Sequence, residues 1–166
     1  MSRPDDLPDR AAVIGVGNPF RRDDGAGPET VARLRDRVPS GVTVTALDGE
    51  PTRLMEAWAG AALAIVVDAV VCHPPDPGRI HRVTTPAALP TGMTVATHGL
   101  GVVEAVRLAA ALDRLPRTLV VLGVEAADVG VGPGLSPHVA TAIPALVDAV
   151  LAELGGTPAD GGRTHD

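Results

Sequence analysis

The sequence predicts an α/β protein, a three-layer α/β/α sandwich whose mostly parallel mixed sheet carries an antiparallel edge strand. Short runs rich in Val, Ile and Leu alternate with amphipathic helical patterns along the 166 residues. The runs are continuously apolar, as strands buried on both faces are, and their alternation with helices is typical of a parallel sheet. We therefore expect a single domain over residues 11–154, between a disordered N-terminal arm (1–10) and a disordered tail (155–166).

The elements follow from the same patterns. Buried strands are predicted at residues 11–17, 42–47, 63–71 and 118–124. Helices are predicted where apolar residues recur every three or four positions, at 28–38, 52–60, 100–112 and 137–154. A weaker strand at 79–84 follows a link too short for a parallel crossover, so it should pair antiparallel at an edge. Residues 85–97, rich in Pro, Gly and Thr, are predicted to be a loop.

Composition excludes several classes of function. The net charge of −6, the single Trp and Phe and the absence of Tyr disfavour nucleic-acid binding. All fourteen basic residues are Arg, which excludes a P-loop or Schiff-base lysine. No apolar run is judged long and uninterrupted enough to cross a membrane, and residues 1–10 lack the apolar core of a secretory signal, so a cytoplasmic location is expected.

Two acidic features indicate where chemistry could occur. Asp23 and Asp24 lie side by side on a glycine-rich turn, residues 15–27, between the first strand and the first helix. One of them could cap the helix, which leaves the other for a ligand or reacting group. Asp68 interrupts an otherwise buried strand, where an unpaired charge is costly, so it must be bonded or face a crevice at the strand's carboxyl end.

Histidine and cysteine give weaker signals. His98 precedes a helix whose positive end favours the neutral, metal-binding imidazole, although a surface or capping role is the simpler alternative. Cys72 and His73 are adjacent on a strand and point to opposite sides, which disfavours a thiol nucleophile. The other histidines, His81 among them, are assigned no role. Gly15-x-Gly17 is similar to a dinucleotide fingerprint, yet Phe20 replaces its third glycine, so a nucleotide-dependent enzyme stays only an alternative.

Taken together, three motifs resemble the hydrogenase maturation proteases: Gly-Val-Gly-Asn-Pro with Asp-Asp-Gly-Ala-Gly (15–27), Val-Asp-Ala (67–69) and Thr-His-Gly-Leu (97–100). The resemblance extends from about residue 13 to 154 and includes Leu-Gly-Val-Glu (122–125) and Leu-Ser-Pro (135–137). One departure is the turn at 48–52, Asp-Gly-Glu-Pro-Thr, where many members have an Asp-Gly-Gly-Thr-like turn; it suggests a divergent client.

The resemblance implies a peptidase that removes the C-terminal extension of a [NiFe] hydrogenase large-subunit precursor after nickel insertion. By position, the family's metal-contacting residues fall on Asp24, Asp68 and His98, which would be both the catalytic and the metal residues. Nickel would arrive bound to the precursor, and no organic cofactor is expected. The protein would act as a monomer whose partner is the precursor. A non-catalytic nickel-binding checkpoint module is the alternative.

Overall fold

A computed structural model describes residues 10–84, 93–95 and 101–155, the segment 93–95 by its backbone. It contains six strands: β1 (Ala11–Val16), β2 (Val42–Leu47), β3 (Leu63–Cys72), β4 (Ile80–Val83), β5 (Met93–Val95) and β6 (Thr118–Glu125). Its α-helices are α1 (Ala26–Leu34), α2 (Pro51–Trp58), α3 (Gly101–Ala111) and α4 (Pro137–Gly155). A 3₁₀ helix, Arg22–Gly25, leads directly into α1.

The strands form one mixed sheet in the order β2-β1-β3-β6-β4. β1 pairs parallel with β2 and β3, and β3 pairs parallel with β6. β4 pairs antiparallel with β6 at the edge, which confirms the predicted antiparallel edge strand. The carboxyl ends of the parallel strands therefore meet along one side of the sheet, where open α/β folds bind their ligands.

Two apolar cores, one on each face of the sheet, confirm the three layers. On one face, α1 and α4 pack against inward residues such as Val13, Ile65 and Leu122. On the other face, α2 and α3 pack against Ile14 and Val66. Burial on both faces explains why the sequence of these strands is continuously apolar.

Several predicted boundaries are corrected. β5 lies within the segment predicted to be a loop; its three residues are too short a pattern to recognise, and the pairing of Val95 with Val70 of β3 defines it. α1 begins two residues earlier than expected, because the 3₁₀ helix leads directly into it, and it ends at Leu34 rather than 38. Arg10, assigned to the arm, accepts a backbone hydrogen bond from Ala62. Gly155, assigned to the tail, closes α4, and the rest of both segments lies outside the described residues.

α4 also corrects the expectation about membrane-length segments. With 19 residues and a mean hydropathy of 1.4, it is long and apolar enough to cross a membrane by length and composition. Val139, Ile143, Leu146 and Val150 nevertheless lie fully buried in the core that α4 shares with α1 and the sheet. The buried 33% of this segment is thus used for packing within the domain.

Candidate active site

The glycine-rich turn carries its two aspartates across the carboxyl ends of β1 and β3. A Cβ atom at Gly27 would lie 2.5 Å from the carbonyl oxygens of both Val16 and Val67, so only glycine lets α1 start this close to the strands. At Gly17, φ is +144° and a Cβ would lie 1.8 Å from the Asp24 carbonyl oxygen. The glycines therefore make room for the chain's own backbone at the turn and at the start of α1.

Asp24 is buried at the base of this turn. Its side chain has no solvent exposure, and its Oδ2 accepts a hydrogen bond of 2.6 Å from the backbone N–H of Asn18. The expectation that one aspartate caps the first helix is wrong, since Gly25 is the N-cap of α1 and no side-chain cap bond is made there. Asp24 is held instead by the turn, with its carboxylate at the sheet edge.

Asp68 occupies the same edge and carries the clearest electrostatic signal of the site. It is 2% exposed; Oδ1 accepts a hydrogen bond of 2.8 Å from the N–H of Ala69, whereas Oδ2 is buried and has no hydrogen-bond partner among the described residues. Burial, reinforced by the negative charge of Asp24, raises the pKa of Asp68 well above its ordinary value. The two carboxyl groups thus lie close enough to repel each other, an arrangement that a bound cation would relieve.

Asp23 has a structural role that the sequence did not reveal. Its carboxylate accepts hydrogen bonds from the N–H groups of Ala127, Asp128 and Ser136 and from the Ser136 hydroxyl, at 2.7–2.9 Å. These bonds attach the 3₁₀ helix to the segment between β6 and α4. The acidic pair is therefore divided: Asp23 fixes the backbone, and Asp24 lies at the sheet edge beside Asp68.

His98, the third predicted site residue, lies outside the described residues, and its role stays a prediction. The first turn of α3 begins three positions later, and Val102 of that turn is buried in the core beneath α2 and α3. By the alternation of β3, Asp68 points to the same face of the sheet as Val66, which belongs to that core.

The turn at 48–52, whose sequence differs from the Asp-Gly-Gly-Thr-like turn of many hydrogenase maturation proteases, has a local structural role. Glu50 is the N-cap of α2, and its carboxylate accepts hydrogen bonds from the N–H groups of Thr52 and Arg53. The hydroxyl of Thr52 also donates to it, and this bond is the main reason that the pKa of Glu50 lies below its ordinary value. The glutamate in this turn therefore starts a helix.

A cavity of about 1170 Å³ lies at the opposite end of the sheet from the aspartates. It is lined by Arg10, Trp58 and Arg117, near the amino ends of β1, β3 and β6. This end of the sheet is the one away from Asp24 and Asp68, and neither aspartate lines the cavity. The buried acids, rather than this cavity, define the candidate active site.

Fold and site together define an α/β domain with two buried carboxylates at the carboxyl edge of a mixed sheet. The family model for hydrogenase maturation proteases, HycI, matches residues 28–153. The chain therefore belongs to the hydrogenase maturation protease family, and it is an endopeptidase of hydrogenase maturation. No curated protein sequence matches the chain.

Solved structures agree with this assignment. The chain is similar to the hydrogenase maturating endopeptidase HybD from Escherichia coli, with 26% identity, a TM-score of 0.75 and coverage of 90% of this chain and 94% of that one. It is also similar to another E. coli endopeptidase, with 25% identity, a TM-score of 0.78 and the same coverages. HybD from Thermococcus kodakarensis, 22% identical, shares the fold over 87% of this chain and 99% of its own, with a TM-score of 0.71.

Proposed function

We propose that this protein removes the C-terminal extension of a [NiFe] hydrogenase large-subunit precursor in the cytoplasm, and that it acts only once nickel is present. Asp24, Asp68 and His98 contact the nickel that the precursor carries. The protein contributes side-chain ligands and needs no organic cofactor. This proposal deepens the family's activity by stating what triggers cleavage and which residues respond to it.

The observation that carries the proposal is the buried Oδ2 of Asp68. Among the described residues this oxygen has no hydrogen-bond donor, and the charge of Asp24 acts on the same carboxyl group. A buried carboxyl with an unused oxygen beside a second acid is costly when the protein is alone. A divalent cation supplied by the substrate offsets that cost, so the site is complementary to a loaded precursor.

Cleavage then follows from the same contacts. Carboxylate and imidazole ligands suit a divalent transition ion with open coordination positions. Engagement of the ion places the scissile peptide beside the two carboxyl groups, and one of them accepts a proton from the attacking water while the ion polarises the carbonyl. Without nickel, the peptide is neither positioned nor activated.

The decisive experiment incubates the protein with nickel-loaded and nickel-free precursor and follows both by mass spectrometry. Loss of a C-terminal peptide from the loaded form alone is expected. Asp24→Asn and Asp68→Asn should abolish processing, whereas the matched substitution of an exposed aspartate, Asp36→Asn, should leave it unchanged. Equal cleavage of nickel-free precursor would refute the nickel dependence. Tight binding of the loaded form with no cleavage would favour a checkpoint module.

A further inference from the structure

A second group of metal-ligating side chains includes neither of the active-site aspartates. Cys72 ends β3, His81 lies on the edge strand β4, and Glu125 ends β6. One potential ligand atom from each residue lies within 4.8 Å of the others. Three neighbouring strands thus bring a thiol, an imidazole and a carboxyl group together, although the residues are far apart in sequence.

We propose that Cys72, His81 and Glu125 form a separate binding site for a divalent transition-metal ion of the zinc type. The donor set is the first reason. A thiolate and an imidazole favour zinc and its neighbours over calcium or magnesium, and a carboxylate completes a known type of zinc ligand set. Three protein ligands leave a fourth, open position.

Distances support the same assignment. Cys72 Sγ lies 4.0 Å from His81 Nε2, and His81 Nε2 lies 2.7 Å from Glu125 Oε2. Ligands of a tetrahedral zinc ion are about 3.3–3.7 Å apart, as follows from bond lengths of about 2.0–2.3 Å. The separation between Cys72 Sγ and His81 Nε2 is wider than this range, and that between His81 Nε2 and Glu125 Oε2 is narrower. Shifts of less than about 1 Å in flexible side chains therefore produce the required geometry.

The charge of the ligands and the hydrogen bond that holds Glu125 in place also match a divalent ion. The Cys72 thiolate and the Glu125 carboxylate together neutralise two positive charges, and neutral His81 adds none. The remaining oxygen of Glu125, Oε1, accepts a hydrogen bond of 2.8 Å from the N–H of Asp76, which fixes the carboxylate from behind, as outer contacts do for metal ligands. Glu125 is buried, whereas Cys72 and His81 are partly exposed, so an ion can enter from solvent.

Proton balance is simple. Binding releases the proton of the Cys72 thiol, and the ion takes the place between His81 Nε2 and Glu125 Oε2 that the hydrogen bond occupies in its absence, with His81 neutral and protonated at Nδ1. Burial and the negative charge of Glu125 raise the pKa of the Cys72 thiol, so the group is a poor nucleophile when no cation is bound. Exposed Arg79 is the cation that acts on Cys72 in the absence of metal.

The chain's single cysteine makes the test specific. Co²⁺ titrated into the full-length, metal-free protein should produce a near-ultraviolet thiolate-to-cobalt charge-transfer band at one equivalent, and Zn²⁺ should remove it by displacement. Because only Cys72 can supply the thiolate, Cys72→Ser should abolish the band. His81→Gln and Glu125→Gln should weaken Co²⁺ binding by about 10- to 100-fold or more.

Two control variants show whether the ion binds at these three residues. His73→Gln changes the exposed histidine beside Cys72 and should leave the band and affinity unchanged, as should Asp68→Asn at the active site. Circular dichroism should show that every variant is folded. Absence of the band, or a band that survives His81→Gln with unchanged affinity, would overturn the proposal and leave the three residues as a hydrogen-bonded cluster.

Discussion

Replacing Asp68 by Asn should make the metal-free protein more stable and, at the same time, inactive. The variant keeps an amide oxygen that accepts the Ala69 N–H bond, but it removes a buried charge whose Oδ2 has no hydrogen-bond partner among the described residues. Leaving a buried polar group unsatisfied costs about 1–3 kcal/mol. The Asn side chain cannot ionise, but its N–H₂ group takes the place of Oδ2, so only part of this cost is removed, and we expect the free energy of unfolding to rise by about 1–2 kcal/mol.

The pH dependence of folding stability gives the direction of this stability change independently. Because burial and Asp24 raise the pKa of Asp68 in the folded state, its protonated form favours folding. That contribution is complete below the ordinary pKa of 3.8 and is lost as the pH rises through the raised folded-state pKa. The advantage of Asp68→Asn should therefore be larger at pH 8 than at pH 5.

Urea unfolding in the presence of a chelator measures this difference, and thermal unfolding should show a rise of about 2–8 °C for a chain of this size. Asp36→Asn, an exposed aspartate, should stay within about 0.5 kcal/mol of the wild type. A variant less stable than the wild type, or a stability difference independent of pH, would refute the reasoning and make Asp68 an ordinary structural acid. Retained processing would refute its role in the active site.

Three further substitutions test how the site is held. Gly17→Ala should cost at least about 3 kcal/mol in urea unfolding, because the new Cβ would meet a backbone oxygen at 1.8 Å. Gly41→Ala, at a position with φ +90° and no atom within 4 Å, should cost only about 1–2 kcal/mol. Equal losses in the two variants would contradict the steric argument. Asp23→Ala should cost about 3–5 kcal/mol and speed hydrogen exchange at residues 127–136. Asp128→Ala removes only exposed contacts, the ion pair with Arg22 and the bond from the Gly130 N–H, and should cost less than about 1 kcal/mol. The pKa of Glu50 is lowered by its hydrogen bonds at the start of α2, so the contribution of Glu50 to stability is present above pH 4.5 and is lost as the pH falls through the lowered pKa. An NMR titration should show the lowered pKa, and Glu50→Gln should remove the pH-dependent contribution.

The central strands β1, β3 and β6 could be predicted from sequence because they are buried on both faces. β2 has the predicted bounds, and β3 and β6 each extend one residue further. Asp68 could be identified because a charge within such an apolar run is costly unless it is bonded or used. β5 escaped detection, since its three residues form a strand only by pairing with the end of β3.

The parts that were missed depend on contacts between distant residues. The partners of Asp23 lie 104 to 113 positions away, and nothing beside Asp23 distinguishes its role from that of Asp24. Cys72, His81 and Glu125 come together only through the register of β3, β6 and β4, with Val70 opposite Glu125 and His81 opposite Gly123. Sequence reasoning treated each of these residues alone, and pairing across strands gives them their common location.

The hydrogen bonds of Asp23 also join an early part of the chain to a late one. The amide and hydroxyl groups that hold its carboxylate belong to residues 127, 128 and 136, so a ribosome must make most of the polypeptide before the turn bearing Asp24 is secured. A nascent chain that stops after α3 contains Asp23 and Asp24 but lacks the residues that donate hydrogen bonds to the Asp23 carboxylate. The turn bearing Asp24 is thus tied to residues that lie more than 100 positions later in the sequence, so this edge of the sheet is among the last parts of the fold to be completed.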